Sequence, residues 1–471
     1  MSGQGTWAAG IIRGPFSEIE IEWVRSMGSP SLYEPAAASA PVLPPALTDR
    51  LCALLSAEGA DTAALVAEVP EGGLPLLSRL EAVRHRLPEK GILLAATPAA
   101  GLRELTIGLS ESGFVILKEE VVEDGGRWSL LRTRKEPFFI RPYREGDEEQ
   151  ILPMFRRSFY VDRGVARWAW EYRENPYGAL KISEAFSEDG RLVAHYAGYP
   201  VRFHREAGGE VRTFPALQIG DTMTEPSIRS VGRGPTSLLG RTVRHYYARN
   251  CEGQVAFNYG FNTGNIQRFS MSFVGARRLE SLPFHVRDAQ APVPLPPAWL
   301  TRLRGYRVER ISHFDARWDE LFRRVSGAYG LLIERDARYL EWRYARCPDT
   351  EYVLWAIFRR KRLVGWSVFR PKGDHGERLV WGDALFDPRH PEAVPLLLAH
   401  VLAAPEHRSA RTVELWLTSR PGWWSERVRA LGFEPRPEPD DLGYVFVPFG
   451  MDPEEEFLAR LYYMMGDSDL F

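Results

Sequence analysis

The sequence has little cysteine and lacks the cysteine patterns that build covalent or metal frameworks. Cys52, Cys251 and Cys347 are the three cysteines among 471 residues, and none lies in a CxxC pair or at a Cys/His ligand spacing. Disulfide scaffolds and zinc sites depend on such patterns. We therefore expect no disulfide framework, no metal site and a reducing, cytoplasmic location.

An excess of one charge and a long apolar run are also missing. The formal net charge is −2, from 60 basic and 62 acidic residues, so nothing attracts the whole chain to nucleic acid or to an anionic membrane. No apolar run approaches the roughly 18 residues of a membrane helix, and residues 1–16 lack the basic and apolar segments of a signal peptide. The sequence predicts a soluble protein that binds neither nucleic acid nor membrane.

The first 135 residues alternate between helical and strand patterns. They predict a helix at 76–87, a strand at 91–98, a helix at 102–112, and strands at 114–122 and 128–133 around a turn at 124–126. This order resembles the closing half of a Rossmann-type methyltransferase, but the glycine-rich loop that opens such a domain is missing. We expect an accessory domain at 1–135 that binds no cofactor; a working methyltransferase is the alternative.

From residue 138 onward the chain repeats itself. The matched segments are Trp170-x-Tyr172-x-x-x-Pro176 with Trp342-x-Tyr344-x-x-x-Pro348, 191–194 with 362–365, Gly220-Asp221 with Gly382-Asp383, and 273–276 with 430–433. Four matches in one order predict two related lobes, at 138–290 and 305–450. A proline-rich linker at 292–297 joins the lobes, and a tail at 451–471 follows them. We expect the paired aromatic residues to be core, and Asp467 and Asp469 to lie in a solvated tail or packed cap rather than in a cation site.

A glycine-containing loop follows a predicted strand at 214–224. It reads Arg229-Ser230-Val231-Gly232-Arg233-Gly234 and runs into a helix predicted to open at Pro235. Glycine lets the backbone turn tightly and leaves the N–H groups accessible, and proline loses no useful hydrogen bond at the first helical position. Free N–H groups at the positive end of a helix dipole favour a pyrophosphate. The spacing therefore predicts a phosphate-binding loop.

The loop resembles motif A of the GNAT N-acetyltransferase superfamily. Pro226, Arg229, Gly232 and Gly234 fall on its Pro-x-x-(Arg/Gln)-x-x-Gly-x-(Gly/Ala) pattern without gaps. The resemblance covers roughly 138–450 and implies an α/β (α+β) fold with two tandem GNAT-like mixed-sheet lobes. It also implies acetyl-CoA or another acyl-CoA as co-substrate. The residues implied to contact that co-substrate are Met223, Thr224, Arg229, Ser230, Val231, Gly232, Arg233, Gly234, Pro235, Thr236 and Asn265.

The second lobe lacks this loop. After Pro388 it reads Arg389-His390-Pro391-Glu392-Ala393-Val394-Pro395, which contains no glycine. Two prolines and a carboxylate cannot form the same cradle of N–H donors. We expect a lobe that keeps the fold but binds no cofactor.

Three residues are candidates for the acid–base chemistry. Asp221 lies on the motif A strand near the expected thioester, and His195 lies on a hairpin strand facing the expected cleft. The family often places an acidic Tyr four residues before the closing Gly275, but this chain has Met271 there, so Tyr259 is the substitute. Asp221 also has a structural interpretation, because Asp383 holds the same place in the lobe without the loop.

These features together predict an N-acyltransferase that transfers an acyl group directly, in a ternary complex. The expected acceptor is a small-molecule amine, and the oligomeric state stays open, a homodimer included. A non-catalytic acyl-CoA sensor or scaffold is the alternative, supported by Met271 and by the degenerate second lobe.

Overall fold

The computed structural model describes residues 8–9, 11–12, 24–25, 45–58, 62–66, 74–123, 126–178, 180–207, 210–229, 231–297, 299, 304–450 and 460–471. The chain forms two compact units. The first unit comprises residues 1–160, 182–196 and 222–250, and the second comprises 161–181, 197–221 and 251–471. These units cut across the predicted domain boundaries.

The accessory region of the first unit is an α/β sandwich. Its elements are β1 (Ala8–Ala9), β2 (Ile11–Ile12), β3 (Val24–Arg25), α1 (Pro45–Glu58), β4 (Thr62–Val66), α2 (Leu74–Arg86), β5 (Ile92–Pro98), α3 (Leu102–Glu111), β6 (Phe114–Glu123) and β7 (Arg127–Lys135). The sheet order is β2-β4-β5-β7-β6, with the first three strands parallel and β7 antiparallel to both neighbours. The predicted helices and strands are confirmed, whereas positions 124 and 125 of the predicted turn lie outside the described residues.

Strand β5 shows why this sheet carries helices on both faces. Successive residues of β5 are buried on opposite faces of the sheet. Leu93 belongs to the apolar cluster on one face and Leu94 to the cluster on the other. Alternate side chains of a strand point to opposite faces, so a continuously apolar strand needs cover on both. The resemblance of this region to a methyltransferase stays a prediction.

The two repeats contain similar series of elements. The first has β8 (Phe138–Pro142), α4 (Glu148–Phe159), α5 (Val165–Tyr172), β9 (Lys181–Ser187), β10 (Leu192–Ala207), β11 (Glu210–Thr224), α6 (Leu238–Asn250), β12 (Phe257–Asn262), α7 (Gly264–Phe273), β13 (Arg277–Ser281) and β14 (Phe284–Asp288). The second has β15 (Tyr306–Ile311), α8 (Ala316–Val325), β16 (Leu331–Ile333), α9 (Ala337–Leu340), β17 (Val353–Arg359), β18 (Arg362–Lys372), β19 (Arg378–Phe386), α10 (Ala393–Ala403), β20 (Thr412–Trp416), α11 (Gly422–Arg429), β21 (Glu434–Pro435) and β22 (Gly443–Pro448).

Within the second unit, each repeat contributes one strand from its C-terminal part to the sheet of the other repeat. Strand β22 pairs antiparallel with β12, so it extends the sheet of the first repeat. Strand β14 pairs antiparallel with β20, so it extends the sheet of the second repeat, whose order is β15-β17-β18-β19-β20-β14-β21. Each predicted lobe therefore completes its sheet with a strand from the other half of the sequence.

The fold class is the expected one, α/β with mixed sheets. Strand β11 runs parallel to β12, and β19 runs parallel to β20, whereas β17, β18 and β19 pair antiparallel in sequence. The repeated aromatic residues are core, as expected: Trp168, Trp170, Tyr172, Trp342 and Tyr344 are all buried. Among the described residues, the helices are all too short or too polar to span a bilayer.

Candidate active site

The predicted phosphate loop lies in the first unit, between β11 and α6. Single 3₁₀ turns at Pro226–Ile228 and Gly234–Thr236 form most of it. The predicted helix start at Pro235 is wrong, because α6 begins at Leu238. Ser237 keeps an extended backbone, and its hydroxyl accepts a hydrogen bond from the Gly240 N–H at 3.1 Å. A serine N-cap therefore sets the helix start.

Close backbone packing explains the glycines of the loop. Gly232 and Gly234 have φ of 73° and 54°, in the left-handed region that side chains disfavour. A Cβ on Gly232 would lie 2.2 Å from the carbonyl oxygen of Thr236. Gly240, which the sequence interpretation missed, serves the same packing, since its Cβ would lie 2.6 Å from the Gly234 oxygen.

Some amides of this loop are satisfied internally and others are free. The N–H groups of Val231, Thr236 and Leu238 donate to nearby backbone carbonyls. Within the part of the chain that the structure describes, the N–H groups of Gly232 and Gly234 donate to no acceptor. The same holds for Leu239 in the first turn of α6. Three free donors at a helix N-terminus suit a diphosphate.

Positive charge surrounds these donors. Arg229 and Arg233 are exposed, and the Arg229 Nε donates to the Thr224 carbonyl at 3.3 Å. Pro235 and Thr236 are exposed as well, whereas Met223 is buried at the end of β11. Ser230 lies outside the described residues. The residues present thus fit an anionic group at the surface of the loop.

The loop is held from below by apolar contacts. Ile228 and Leu238 are buried together with Val193 and Ala194 of β10. The Glu225 N–H also donates to the Val193 carbonyl at 2.9 Å. These contacts attach both ends of the loop to the sheet.

Asp221, the first candidate base, lies in the second unit near the end of β11. It is 7% exposed and has a φ of 49°, a strained backbone for a residue other than glycine. Its carboxylate accepts hydrogen bonds from the Tyr172 hydroxyl at 2.8 Å and from Arg163. Glu171 lies 3.5 Å from Arg163, and burial raises the pKa of Glu171 to about 7.

The second repeat contains a matching arrangement without the strain. Asp383 accepts hydrogen bonds from the Tyr344 hydroxyl at 2.7 Å and from Arg335 Nε at 2.9 Å. The pairing of β18 with β19 shifts register at this point, but Asp383 keeps a negative φ. An aspartate bound by a tyrosine and an arginine is therefore common to both repeats, and the positive φ is particular to Asp221.

The other candidate residues are His195, Tyr259 and Asn265, and they do not all belong to one unit. His195 is fully buried in the first unit. Tyr259 is 1% exposed in the core of the second unit, stacked on Tyr444, with its hydroxyl 3.1 Å from the Gln218 carboxamide. Burial raises the pKa of Tyr259 far above that of free tyrosine, so it stays protonated. Asn265 is the second residue of α7. Their proposed roles stay predictions.

The position of Asp469 near the candidate base was not predicted from the sequence. Asp469 contacts the Gln218 carboxamide at 3.3 Å, and a Cβ on Gly220 would lie 3.2 Å from its Oδ2. Residues 461–464 and Phe471 are buried, so of the two expected arrangements, a solvated tail or a packed cap, the structure has the packed cap. The aromatic residues at 462, 463 and 471 were the signal that could have indicated burial.

The second repeat has a short, closed turn where the first has its loop. Asp387 accepts bonds from Arg389, through both backbone and side chain, and from Arg324. Those bonds overcome the opposing effect of burial and lower the pKa of Asp387 to about 2. The donors of this turn therefore bond to an internal carboxylate. Within the described residues, the turn has no cradle of N–H groups of the kind seen at Gly232.

One family model and several solved structures are similar to this chain. Residues 139–273 match the acetyltransferase (GNAT) domain family, while no curated protein matches the sequence. Among solved structures, the chain is similar to a probable N-acyltransferase from Enterococcus faecalis V583 (10% identity, TM-score 0.49, covering 67% of this chain and 73% of that chain).

Two further solved structures are similar to the chain. One is N-myristoyltransferase from Saccharomyces cerevisiae with bound myristoyl-CoA (10% identity, TM-score 0.43, covering 71% of this chain and 85% of that chain). The other is a tandem GNAT protein from the clavulanic acid biosynthesis pathway (14% identity, TM-score 0.40, covering 67% and 99%). The loop of free amides lies inside the segment that the family match covers. Residues 139–273 of this chain are thus similar to the acetyltransferase (GNAT) domain family.

Proposed function

We propose that this protein is an N-acyltransferase that moves an acetyl group from acetyl-CoA to the amine of a small molecule. The single observation that supports this most is the loop with free N–H groups at Gly232 and Gly234, inside the segment that matches a GNAT domain. Each charge-assisted hydrogen bond to a diphosphate contributes about 1.5–3 kcal/mol. The exposed Arg229 and Arg233 add favourable electrostatics.

The amine must lose a proton before it can attack. An aliphatic ammonium with a pKa near 10.4 costs roughly 4–5 kcal/mol to deprotonate at pH 7, so a nearby carboxylate lowers the barrier. By the family resemblance, the thioester lies beside the Gly220-Asp221 segment of β11. The carboxylates in the second unit near that segment supply negative charge for a cationic acceptor.

Direct transfer fits the surroundings of the cysteines. Cys251 is fully buried, and burial raises the pKa of its thiol far above the usual range, which suppresses the thiolate that a covalent route needs. Cys347 contacts Arg167 at 3.0 Å, in the repeat without the loop. We therefore propose attack by the amine on the thioester within a ternary complex.

A non-catalytic acyl-CoA sensor is the second candidate. It is favoured by the tyrosine and arginine that bind Asp221, because the same pair binds Asp383 in the second repeat. A carboxylate held this way in both repeats has a structural explanation. The sensor shares the loop with the enzyme and differs from it only in turnover.

Calorimetry with acetyl-CoA tests the loop first. We expect binding by the unaltered protein and a loss of at least tenfold in affinity for Gly232→Ala, whose Cβ would clash with the backbone at Thr236. Gly253→Ala is the matched control, since Gly253 also has a positive φ of 68° but has no atom within 4 Å of the added Cβ. Equal affinities for the two variants would contradict the assignment of the loop.

Thiol release then separates the enzyme from the sensor. Acetyl-CoA is incubated with glucosamine, spermidine, L-lysine or kanamycin, and free CoA is measured with a thiol reagent. Release that requires both an amine and an intact Gly232 supports the acyltransferase. Tight binding of acetyl-CoA without release from any of the four amines would favour the sensor.

A further inference from the structure

The C-terminal segment 461–471, here called the cap, packs along both repeated strands of the second unit. It begins beside β16, where the Tyr462 N–H donates to the Leu331 carbonyl at 2.7 Å. The Tyr462 hydroxyl then donates to the Ala384 carbonyl of β19 at 2.9 Å. Asp469 lies farther along the cap, beside Gly220 of β11. The cap thus supplies residues to the Gly-Asp segment of each repeat.

The cap fills the two Gly-Asp segments differently. At the second repeat, Phe471 packs so tightly that a Cβ on Gly382 would lie 1.7 Å from its ring. At the first repeat, the atom closest to the corresponding position on Gly220 is a carboxylate oxygen of Asp469. The aromatic ring of Phe471 therefore fills the space beside Gly382, whereas the ionisable Asp469 lies beside Gly220.

The two cap aspartates also have different partners. Both carboxylate oxygens of Asp467 accept from Arg335 Nη2, at 2.7 and 2.9 Å, and Asp467 also accepts from the Met464 N–H. Asp469 has the Gln218 carboxamide as its contact at 3.3 Å, and within the described residues no arginine or lysine nitrogen lies within 4 Å of its carboxylate. Asp467 is 2% exposed, whereas Asp469 is half-buried. Asp469 is therefore the less buried of the two, and Asp467 is the one whose carboxylate pairs with an arginine.

The groups around Asp469 leave negative charge uncompensated. Asp221 and Glu171 share Arg163, which contacts both carboxylates, and Arg167 lies 3.8 Å from Glu171. Tyr172 donates to Asp221. Asp469 adds a third carboxylate to this group, so three carboxylates lie near Arg163 and Arg167, and the Gln218 carboxamide beside Asp469 carries no charge. A protonated amine would complete the charge balance at this point.

We propose that Asp469 accepts the proton of the acceptor amine beside Gly220. This inference rests on the proposed function, since it needs an acyl thioester at the same segment of β11. The ammonium loses one proton to the Asp469 carboxylate, and the free amine attacks the carbonyl carbon. The C–N bond forms, the C–S bond breaks, and the second nitrogen proton goes to the CoA thiolate. Water then takes the proton from Asp469.

The titration behaviour of Asp469 agrees with this role. Burial, and after it the charge of Asp221, raises the pKa of Asp469 to about 6. At pH 7 the group is then ionised and able to accept a proton, while its basicity is closer to that of the amine than an exposed aspartate offers. The proton-accepting form is lost as the pH falls through 6.

Asp469→Asn tests the proposal on the full chain, with the most active of the four amines above as probe. We expect kcat to fall by about 10²–10⁴-fold, with an unchanged Kd for acetyl-CoA and an unchanged melting temperature. Asp374→Asn makes the same chemical change at an exposed position and should keep full activity. The kcat/KM of the unaltered protein should also fall below pH 6. This measurement needs no variant, so it tests the proposal even if Asp469→Asn fails to fold.

The outcomes separate the two proposals. If the unaltered protein turns over and Asp469→Asn keeps its rate, or if kcat/KM stays level from pH 5 to 7.5, the role of Asp469 is wrong and the acyltransferase survives. If acetyl-CoA binds but none of the four amines supports turnover, both the acyltransferase and the role of Asp469 are overturned. Loss of acetyl-CoA binding in Asp469→Asn would assign the residue to the co-substrate and also overturn the proposal.

Discussion

Trp170 and Trp342 donate their indole N–H groups to each other's backbone carbonyl, at 2.7 and 2.8 Å. Their rings stack with centroids 5.0 Å apart. The two residues hold the same position in the sequence repeat, so each makes the contact that the other makes. Such reciprocity is the mark of a two-fold relationship, and here it joins two halves of one chain within the second unit.

The tryptophan pair should be energetically coupled. Trp170→Phe or Trp342→Phe leaves one buried carbonyl without its donor, which costs about 1–3 kcal/mol. Because the two residues share one stack, we expect the double variant to lose less than the sum, with a coupling of about 0.5–1.5 kcal/mol. Denaturant unfolding of the four proteins measures it. Trp299→Phe, at an exposed site, should change nothing, and additive losses would contradict the coupling.

Gly240 should be needed for co-substrate binding although it lies inside α6. Alanine is about 1 kcal/mol better than glycine in a helix, but a Cβ on Gly240 would lie 2.6 Å from the Gly234 oxygen. We therefore expect Gly240→Ala to displace the loop and to weaken acetyl-CoA binding at least tenfold in calorimetry. Gly422→Ala, at the start of α11 with its nearest atom at 4.0 Å, should bind as the unaltered protein does.

Arg335 should be a structural residue and not a binding one. It is fully buried and pairs with both Asp383 and Asp467. Arg335→Met leaves two buried carboxylates without a counter-charge, so we expect a loss of about 3–5 kcal/mol, seen as a lower melting temperature. The affinity for acetyl-CoA at 10 °C should stay unchanged. Arg436→Met breaks an exposed pair with Glu434 and should cost less than about 1 kcal/mol.

Glu184 should make the stability of the first unit depend on pH. Burial, and after it the charge of Asp147, raises the pKa of Glu184 to about 9. The folded state therefore keeps a proton that the unfolded chain releases near pH 4.5, and stability falls as the pH rises between these values, by up to about 1.4 kcal/mol per unit.

Glu184→Gln removes this dependence, since glutamine stays neutral. We expect the variant to unfold at a higher denaturant concentration than the unaltered protein at pH 8.5, and at nearly the same concentration at pH 4.5. Glu145→Gln, at an exposed position, is the control and should follow the unaltered protein at both pH values. A constant difference between Glu184→Gln and the unaltered protein would show that charge is not the cause.

Local sequence patterns were sufficient to predict the loop and most of the helices and strands. The conformations of Gly232 and Gly234 follow from short-range sterics, which a few residues encode. The start of α6 was predicted wrongly because Pro235 and Ser237 are both helix-start signals. In the structure the Ser237 side chain caps the helix by accepting from the Gly240 N–H, and Pro235 lies in a 3₁₀ turn. Gly240 was missed because its role depends on a backbone oxygen six residues away.

The sequence by itself determined the repeat, the α/β class, the glycine-containing loop of one repeat and its absence from the other. Each of these depends on spacings within a few tens of residues. The tertiary structure alone decided the exchange of β14 and β22 and the position of Asp469 beside β11. Asp469 meets Gln218 across 251 residues of chain, and no local pattern encodes a contact of that range, because it exists only after both sheets have formed.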